Sequence, residues 1–336
     1  MKRRDTTFAT AGATLALIYT FHPLAAHAAA PGVFDELQQN VWYMDTADNQ
    51  ARLYVTSLGK GPMVVCLHGG PGNDFNYMVQ AVEPLADRYQ FVLFDQRGSL
   101  LSPVPADQVK KLTLDMLVQD LETLRQKLGQ DKLVLFGHSF GSMLATAYYQ
   151  AYPQHVAGLV LAGALPPSYG SLRDYLSTMR PRFNALRNRP EVAAALQAAG
   201  VPKDVPAEKL TDQQRSMRFK IDGLASFNLY HVDRWREIEG GNVYYNSAVD
   251  DAIGDSFPAQ YSILDTLKDH PVPITVIQGD SDYTDPGASG WKAQQAAFPQ
   301  IRVLVLPQAS HYSWVDAPSE FDKDLPIGLD RAVTGH

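Results

Sequence analysis

Short apolar runs and wider apolar spacings alternate along this chain. Met63–Leu67, Phe91–Phe94, Leu133–Phe136, Leu159–Leu161, Ile274–Ile277 and Val303–Leu306 are brief, continuous and rich in Val, Ile and Leu. Strands of a parallel sheet read this way because both of their faces are covered. Upstream, Val41–Asp45 and Ala51–Ser57 read as two short strands joined by the polar turn Thr46–Gln50. Between the later runs, Leu114, Leu117, Leu121, Leu124 and Leu128 recur at spacings of three and four, which places them on one helical face. Thr113 suits the N-cap of that helix and Gly129 its stop. Met143–Gln150 reads as another helix, ended by Pro153. The alternation predicts an α/β protein with a mostly parallel, doubly wound sheet and right-handed crossovers.

The rhythm changes from about Leu165 to His270. Arg, Ala and Leu fall in helical patterns there, as in Pro190–Ala199, and strand signals are few. Pro271-Val272-Pro273 then restarts the sheet pattern. The expected organisation is a sheet domain in two parts, residues 29–164 and 271–336, with a helical cap over residues 165–270 inserted between them. An insertion of this kind covers a site at the sheet edge and shapes its pocket.

The first residues have a different character. Lys2, Arg3 and Arg4 precede a mostly apolar, Ala-rich stretch from Phe8 to Ala25, and Ala26-His27-Ala28 follows as an A-x-A-like cleavage site. This is the pattern of a bacterial export signal. It predicts a signal peptide over residues 1–28, cleavage after Ala28, and a periplasmic or secreted mature protein. Arg3-Arg4 with Phe8 fits the twin-arginine route as well as the general secretory one. Thr10, Thr14, Thr20 and His22 interrupt the stretch and argue against a stable membrane span.

Composition narrows the classes further. Of 336 residues, 45% are hydrophobic and 19% charged, as in soluble globular proteins, and a chain of this length buries a large core without disulfides. The single cysteine, Cys66, sits inside an apolar run, cannot form an intrachain disulfide and reads as a core residue. The net charge of −7, with no Lys/Arg-rich run beyond the N-terminus, argues against a nucleic-acid partner. Nothing in one sequence speaks to oligomeric state.

Four short segments carry candidate chemistry. Gly137-His138-Ser139-Phe140-Gly141 matches G-x-S-x-G, after an apolar strand and before a helix, which is the context a nucleophile elbow requires. His68-Gly69-Gly70-Pro71-Gly72 follows the strand Met63–Leu67, so its backbone can face a developing oxyanion. The donors expected are the amides of Gly70 and Phe140. Gly279-Asp280-Ser281-Asp282 ends the strand Ile274–Ile277, where a carboxylate can hold an imidazole in its working tautomer. Asp282 is the choice for that acid, with Asp280 and Asp285 read as turn or cap residues. Ser310-His311-Tyr312 follows the last predicted strand and makes His311 the base. The order Ser139, Asp282, His311 is that of α/β-hydrolases. His68 and His138 read as structural, and His155, His231, His270 and His336 lack supporting context.

These motifs together resemble one family. His68-Gly69-Gly70-Pro71-Gly72, Asp95-Gln96-Arg97-Gly98-Ser99 and Gly137-His138-Ser139-Phe140-Gly141-Ser142 look like the segments of proline iminopeptidases, also called prolyl aminopeptidases. Gly279–Asp282 and Ser310–Trp314 are similar to that family's acid and histidine loops. The resemblance implies an α/β-hydrolase fold and removal of an N-terminal residue, often proline, from a peptide. It implies no metal and no organic cofactor. It also implies cap carboxylates that hold the substrate ammonium, for which Glu237 and Glu239 in Trp235–Gly240 are the candidates. The chain departs from the family at Leu100-Leu101-Ser102, at His138 and Phe140 beside the serine, and in lacking a clear copy of the cap glutamate motif. The alternative is an esterase, lactonase or amide hydrolase that acts on a small molecule with the same triad.

Overall fold

The computed structural model describes residues 32–202, 205–239 and 245–335, so the expected export signal at residues 1–28 lies outside the described residues. Among the described residues ten strands follow one another: β1 (Trp42–Asp45), β2 (Arg52–Gly59), β3 (Met63–Leu67), β4 (Gln90–Phe94), β5 (Leu133–His138), β6 (Val156–Ala162), β7 (Ser168–Tyr169), β8 (Tyr261–Ser262), β9 (Ile274–Gly279) and β10 (Ile301–Leu306). Eight of them form one sheet in the order β1-β2-β4-β3-β5-β6-β9-β10. The β1–β2 and β2–β4 pairs are antiparallel, and every later pair is parallel.

The continuous apolar runs are explained by burial on both faces. Leu135, Leu159, Leu161 and Val276 point into a core shared with the helices Leu114–Lys127 and Phe140–Ala151. Their neighbours Phe136, Val160 and Ile277 enter the opposite core, against Phe321, Leu325 and Leu329 of the helix Pro318–Thr334. Each such side chain contributes about 1.5–3 kcal/mol by leaving water. Cys66 is fully buried in the same layer. Several strands run past their apolar runs: β5 continues through Gly137-His138, and β6 begins at Val156. Glycine and polar residues at strand ends pair by backbone alone, which hydropathy does not register.

The helix Leu114–Lys127 begins at Thr113, whose hydroxyl accepts from the Met116 amide at 3.3 Å. One interaction fixes it to the sheet. Arg97 donates from Nε to Asp120 Oδ2 at 2.8 Å and from Nη2 to Asp120 Oδ1 at 2.6 Å, with Asp48 Oδ2 at 2.7 Å from Nη1. The Arg97 and Asp120 side chains are 4% and 3% exposed, so this bidentate pair is bonded out of water. The Asp95–Ser99 segment is thereby anchored on both sides.

Between β6 and β9 lie the helices Leu172–Arg187, Pro190–Ala198, Asp212–Arg218 and Ser247–Asp255 and a π-helical stretch, Phe219–Ala225. The ribbon β7–β8 pairs Ser168 with Ser262 and Tyr169 with Tyr261, which closes the base of this insertion. Asp316 staples it to the sheet domain. Its carboxylate accepts from the amides of Tyr230 at 2.7 Å, His231 at 3.0 Å and Ser310 at 2.8 Å. Among the described residues no helix is long and apolar enough to cross a membrane.

The Arg97 pair gives a stability prediction. Asp120→Ala leaves the buried guanidinium with only the partly exposed Asp48, and is expected to cost about 3–5 kcal/mol in equilibrium urea unfolding. A loss below about 1 kcal/mol contradicts this account of the Asp95–Ser99 segment.

Candidate active site

Ser139 stands between β5 and the helix Phe140–Ala151 with φ 56° and ψ −122°. A positive φ in a residue with a Cβ is strained, and surrounding structure must hold it there. The packing does so. A Cβ on Gly141 would lie 1.9 Å from the Leu67 carbonyl oxygen, and one on Gly69 would lie 2.6 Å from the Ser139 Cβ. Backbone thus meets backbone where the end of β3, the following loop and the elbow converge. The Ser139 amide donates to Ala162 O at 3.0 Å, and its carbonyl accepts from the Ser142 amide at 2.8 Å.

Asp282 follows β9 and is fully buried. His311, 2% exposed, follows β10 and sets its Nδ1 at 3.0 Å from both Asp282 oxygens. Thr284 donates to Asp282 Oδ1 from its amide at 2.9 Å and its hydroxyl at 2.8 Å. The carboxylate is therefore fixed from two directions, and it fixes the ring. Asp280 accepts from Ser281 Oγ and the Gln308 amide, and Asp285 from Ser289 and the Gly290 amide. Both are turn and cap residues. His311 and Ser139 line a single cavity.

The two expected oxyanion donors are also at this cavity. Gly70, at φ 65°, lines it together with Ser139. Phe140 is the first residue of its helix, where amide groups point outward and the helix dipole is positive. His68 lies behind them: its Nδ1 donates to Gly69 O at 3.1 Å and its Nε2 accepts from the Gln96 amide at 3.2 Å. Burial lowers its pKa to about 4, so it is a neutral structural residue.

The cavity has two lobes that share Gly70, Ser139, Phe183, Asp250 and Tyr283, with volumes of about 560 Å³ and 690 Å³. Tyr283 was not singled out by sequence reasoning. It lines both lobes beside Ser139, and its ring centre is 4.6 Å from that of His311. Burial, then the neighbouring Asp282 charge, holds its phenol well above its ordinary pKa. Phe183 and Phe227 of the insertion pack on it at 5.3 and 6.0 Å between ring centres.

Comparison with known proteins agrees with this geometry. A family model for the alpha/beta hydrolase fold matches residues 62–318. A proline iminopeptidase of Xanthomonas citri is 47% identical over 317 residues, covering 86% of this chain and 94% of that protein. The chain belongs to the proline iminopeptidase family. Another member, from Xylella fastidiosa strain 9a5c, is 43% identical over 118 residues, a match that spans 34% of this chain and 37% of that protein. The solved proline iminopeptidase-related protein of Thermus thermophilus superposes with a TM-score of 0.58 at 23% identity, covering 88% of this chain and 99% of that one. It shares the fold.

Within this proline iminopeptidase family member, the cap acids named from sequence do not meet the serine. Glu237 is exposed and bonds through its carboxylate to Arg234 Nε at 3.0 Å. Glu239 is exposed, and its amide donates to Gln80 Oε1 at 3.1 Å. Both lie on the outer side of the 232–239 turn, and neither lines the described cavity. The carboxylate that does line both lobes is Asp250, on the cap helix Ser247–Asp255. Burial raises its pKa, and Tyr245 donates to its Oδ2 at 2.8 Å. A signal for it existed in the Asp250-Asp251 pair at helical spacing from Val249 and Ile253, but no motif distinguished it from a solvated helix face.

The two carboxylates of the acid loop separate cleanly in a test. Asp282→Asn is expected to lower kcat roughly 10³–10⁴-fold, because the imidazole loses its tautomer-fixing partner. Asp280→Asn should leave kcat within about twofold, since Asp280 touches only turn groups. Equal losses in steady-state assays of the two variants would contradict the assignment.

Proposed function

We propose that this protein is an exported serine aminopeptidase that releases an N-terminal residue, proline or a similar one, from peptides through an acyl-enzyme. The observation that carries the reading is the buried Asp282–His311 pair beside the strained Ser139, at a cavity whose wall holds the carboxylate of Asp250. The 47% identity to the Xanthomonas citri proline iminopeptidase, across nearly its whole length, supports the choice of substrate class.

In this reading Ser139 Oγ attacks the carbonyl carbon of the first residue while His311 Nε2 takes its proton. The Gly70 and Phe140 amides hold the resulting oxyanion. The tetrahedral adduct collapses, and His311 returns the proton to the leaving amine. Water, deprotonated by His311, then releases the amino acid and restores Ser139. Asp250 holds the free ammonium as a charge-assisted contact, which fixes the substrate with its first peptide bond at Ser139. Export rests on the Lys2–Arg4, Phe8–Ala25 and Ala26-His27-Ala28 pattern, and places the mature protein in the periplasm or outside the cell.

The expected results are specific. Prolyl or alanyl p-nitroanilide is cleaved, acetylation of its amine abolishes cleavage, and Ser139→Ala is inactive. Asp250→Asn raises KM for the free-amine substrate roughly tenfold or more, as for a lost bond to a charged group, and leaves turnover of p-nitrophenyl acetate within about twofold. Splitting of simple esters with no activity on any free-amine substrate would instead place the protein among small-molecule esterases. Mass spectrometry of the protein from a periplasmic fraction should find Ala29 as its first residue. A chain retaining Met1–Ala28 in the cytoplasm would contradict export.

A further inference from the structure

His138 precedes Ser139 and lines the same cavity, but its ring is engaged by the protein itself. It is 1% exposed and bonded at both nitrogens. Nδ1 is 2.7 Å from the Tyr77 hydroxyl, and Nε2 is 3.1 Å from the His311 carbonyl oxygen. Tyr77, 2% exposed, also accepts from the Gly69 amide at 2.6 Å. The direction of each bond follows from chemistry. A carbonyl only accepts, so His138 Nε2 carries the proton. Nδ1 therefore has a free lone pair and accepts from Tyr77. The Tyr77 oxygen accepts from the Gly69 N–H, which only donates, and its own proton goes to His138. Three bonds thus agree on one tautomer with no group left over.

The segments joined in this way are the ones that matter. Gly69 precedes Gly70 in the loop after β3. His138 precedes Ser139 at the elbow. The carbonyl at the other end belongs to His311 itself. Ring contacts brace the same line: His138 lies 4.7 Å from His311 and 4.9 Å from Trp314, and Tyr77 stacks on Tyr312 at 5.3 Å. A Cβ on Gly163 would lie 2.9 Å from the His311 ring and 3.0 Å from His138 Nε2, so the site has no slack on its far side.

We propose that Tyr77 and His138 are positioning residues: a buried hydrogen-bonded strut that holds the oxyanion loop, the nucleophile and the base in register. Burial, followed by the adjacent His311, keeps the His138 pKa well below its ordinary value. The strut therefore stays neutral, and no second cation opposes the imidazolium that forms on His311 during turnover. Its polar atoms are taken up by protein groups, so it acts through the geometry of Gly70, Ser139 and His311. The proposal rests on the triad assignment but not on the identity of the natural substrate.

The test uses the full mature protein and p-nitrophenyl acetate, an activated ester that needs no free amine. Tyr77→Phe removes both bonds at the hydroxyl and keeps the ring that stacks on Tyr312 and Trp314. Its kcat per folded molecule, with folding measured by near-ultraviolet circular dichroism, should fall roughly 10- to 100-fold while KM stays within about twofold. His138→Leu should fall at least as far. His138→Gln, whose amide N–H can still reach the His311 carbonyl, should recover part of the loss. A Tyr77→Phe protein that melts at lower temperature yet keeps wild-type kcat per folded molecule has lost only a structural contact, and overturns the proposal. If His138→Leu does not fold, Tyr77→Phe and His138→Gln decide the matter. Wild-type protein inert to the ester would overturn the triad assignment beneath the strut, a separate result from an active wild type with an equally active Tyr77→Phe.

Discussion

The site depends on a carboxylate held out of water against an imidazole. Asp282 is buried, receives two bonds from Thr284, and sits within hydrogen-bond distance of His311 Nδ1 through both oxygens. A buried carboxylate is costly unless it is bonded on most sides; the Thr284 bonds are local to the loop after β9, and the contact with His311 requires β9 and β10 to lie parallel with their following loops side by side. The same adjacency sets His311 at the cavity that Ser139 lines. Correct folding of the sheet edge and a fixed orientation of the His311 ring are therefore one condition.

Ser139 obeys a second condition, a steric one. Its positive φ persists because the elbow is clamped between the β3 end and the Ala162 carbonyl, where even a methyl group has no room. Strain at the nucleophile and close packing around it are two views of the same contact. The insertion then roofs the cavity and is pinned by Asp316, whose three backbone bonds reach the insertion and the histidine loop alike. The insertion and the histidine loop are thereby tied together, and the aromatic group of Phe183, Phe227 and Tyr283 lies across their junction.

Much of this was legible in the sequence because it lies in periodicity and glycine placement. The parallel strands announced themselves as apolar runs, and the elbow as G-x-S-x-G between a strand and a helix. The helix Pro318–Thr334 was obscured by Pro326, which interrupts the Phe321, Leu325, Leu329 spacing that faces the sheet. Asp282 could be separated from Asp280 by its G-x-x-D spacing from Gly279. Glu237 and Glu239 could not be placed from spacing, because cap residues owe their direction to packing among helices with no fixed register to the sheet. Asp250, Tyr77 and Tyr283 were missed for the same reason: their roles come from neighbours distant along the chain, and their local sequence reads as an ordinary helix face or loop.

The central claim is that Ser139 is a nucleophile activated by the buried His311–Asp282 pair. Treating the folded protein with a fluorophosphonate and mapping the adduct by peptide mass spectrometry tests it most directly. The account predicts one stoichiometric adduct, on Ser139, that disappears on prior unfolding and is strongly slowed in His311→Ala. Absence of any adduct on folded protein, or an adduct on another residue, would contradict it.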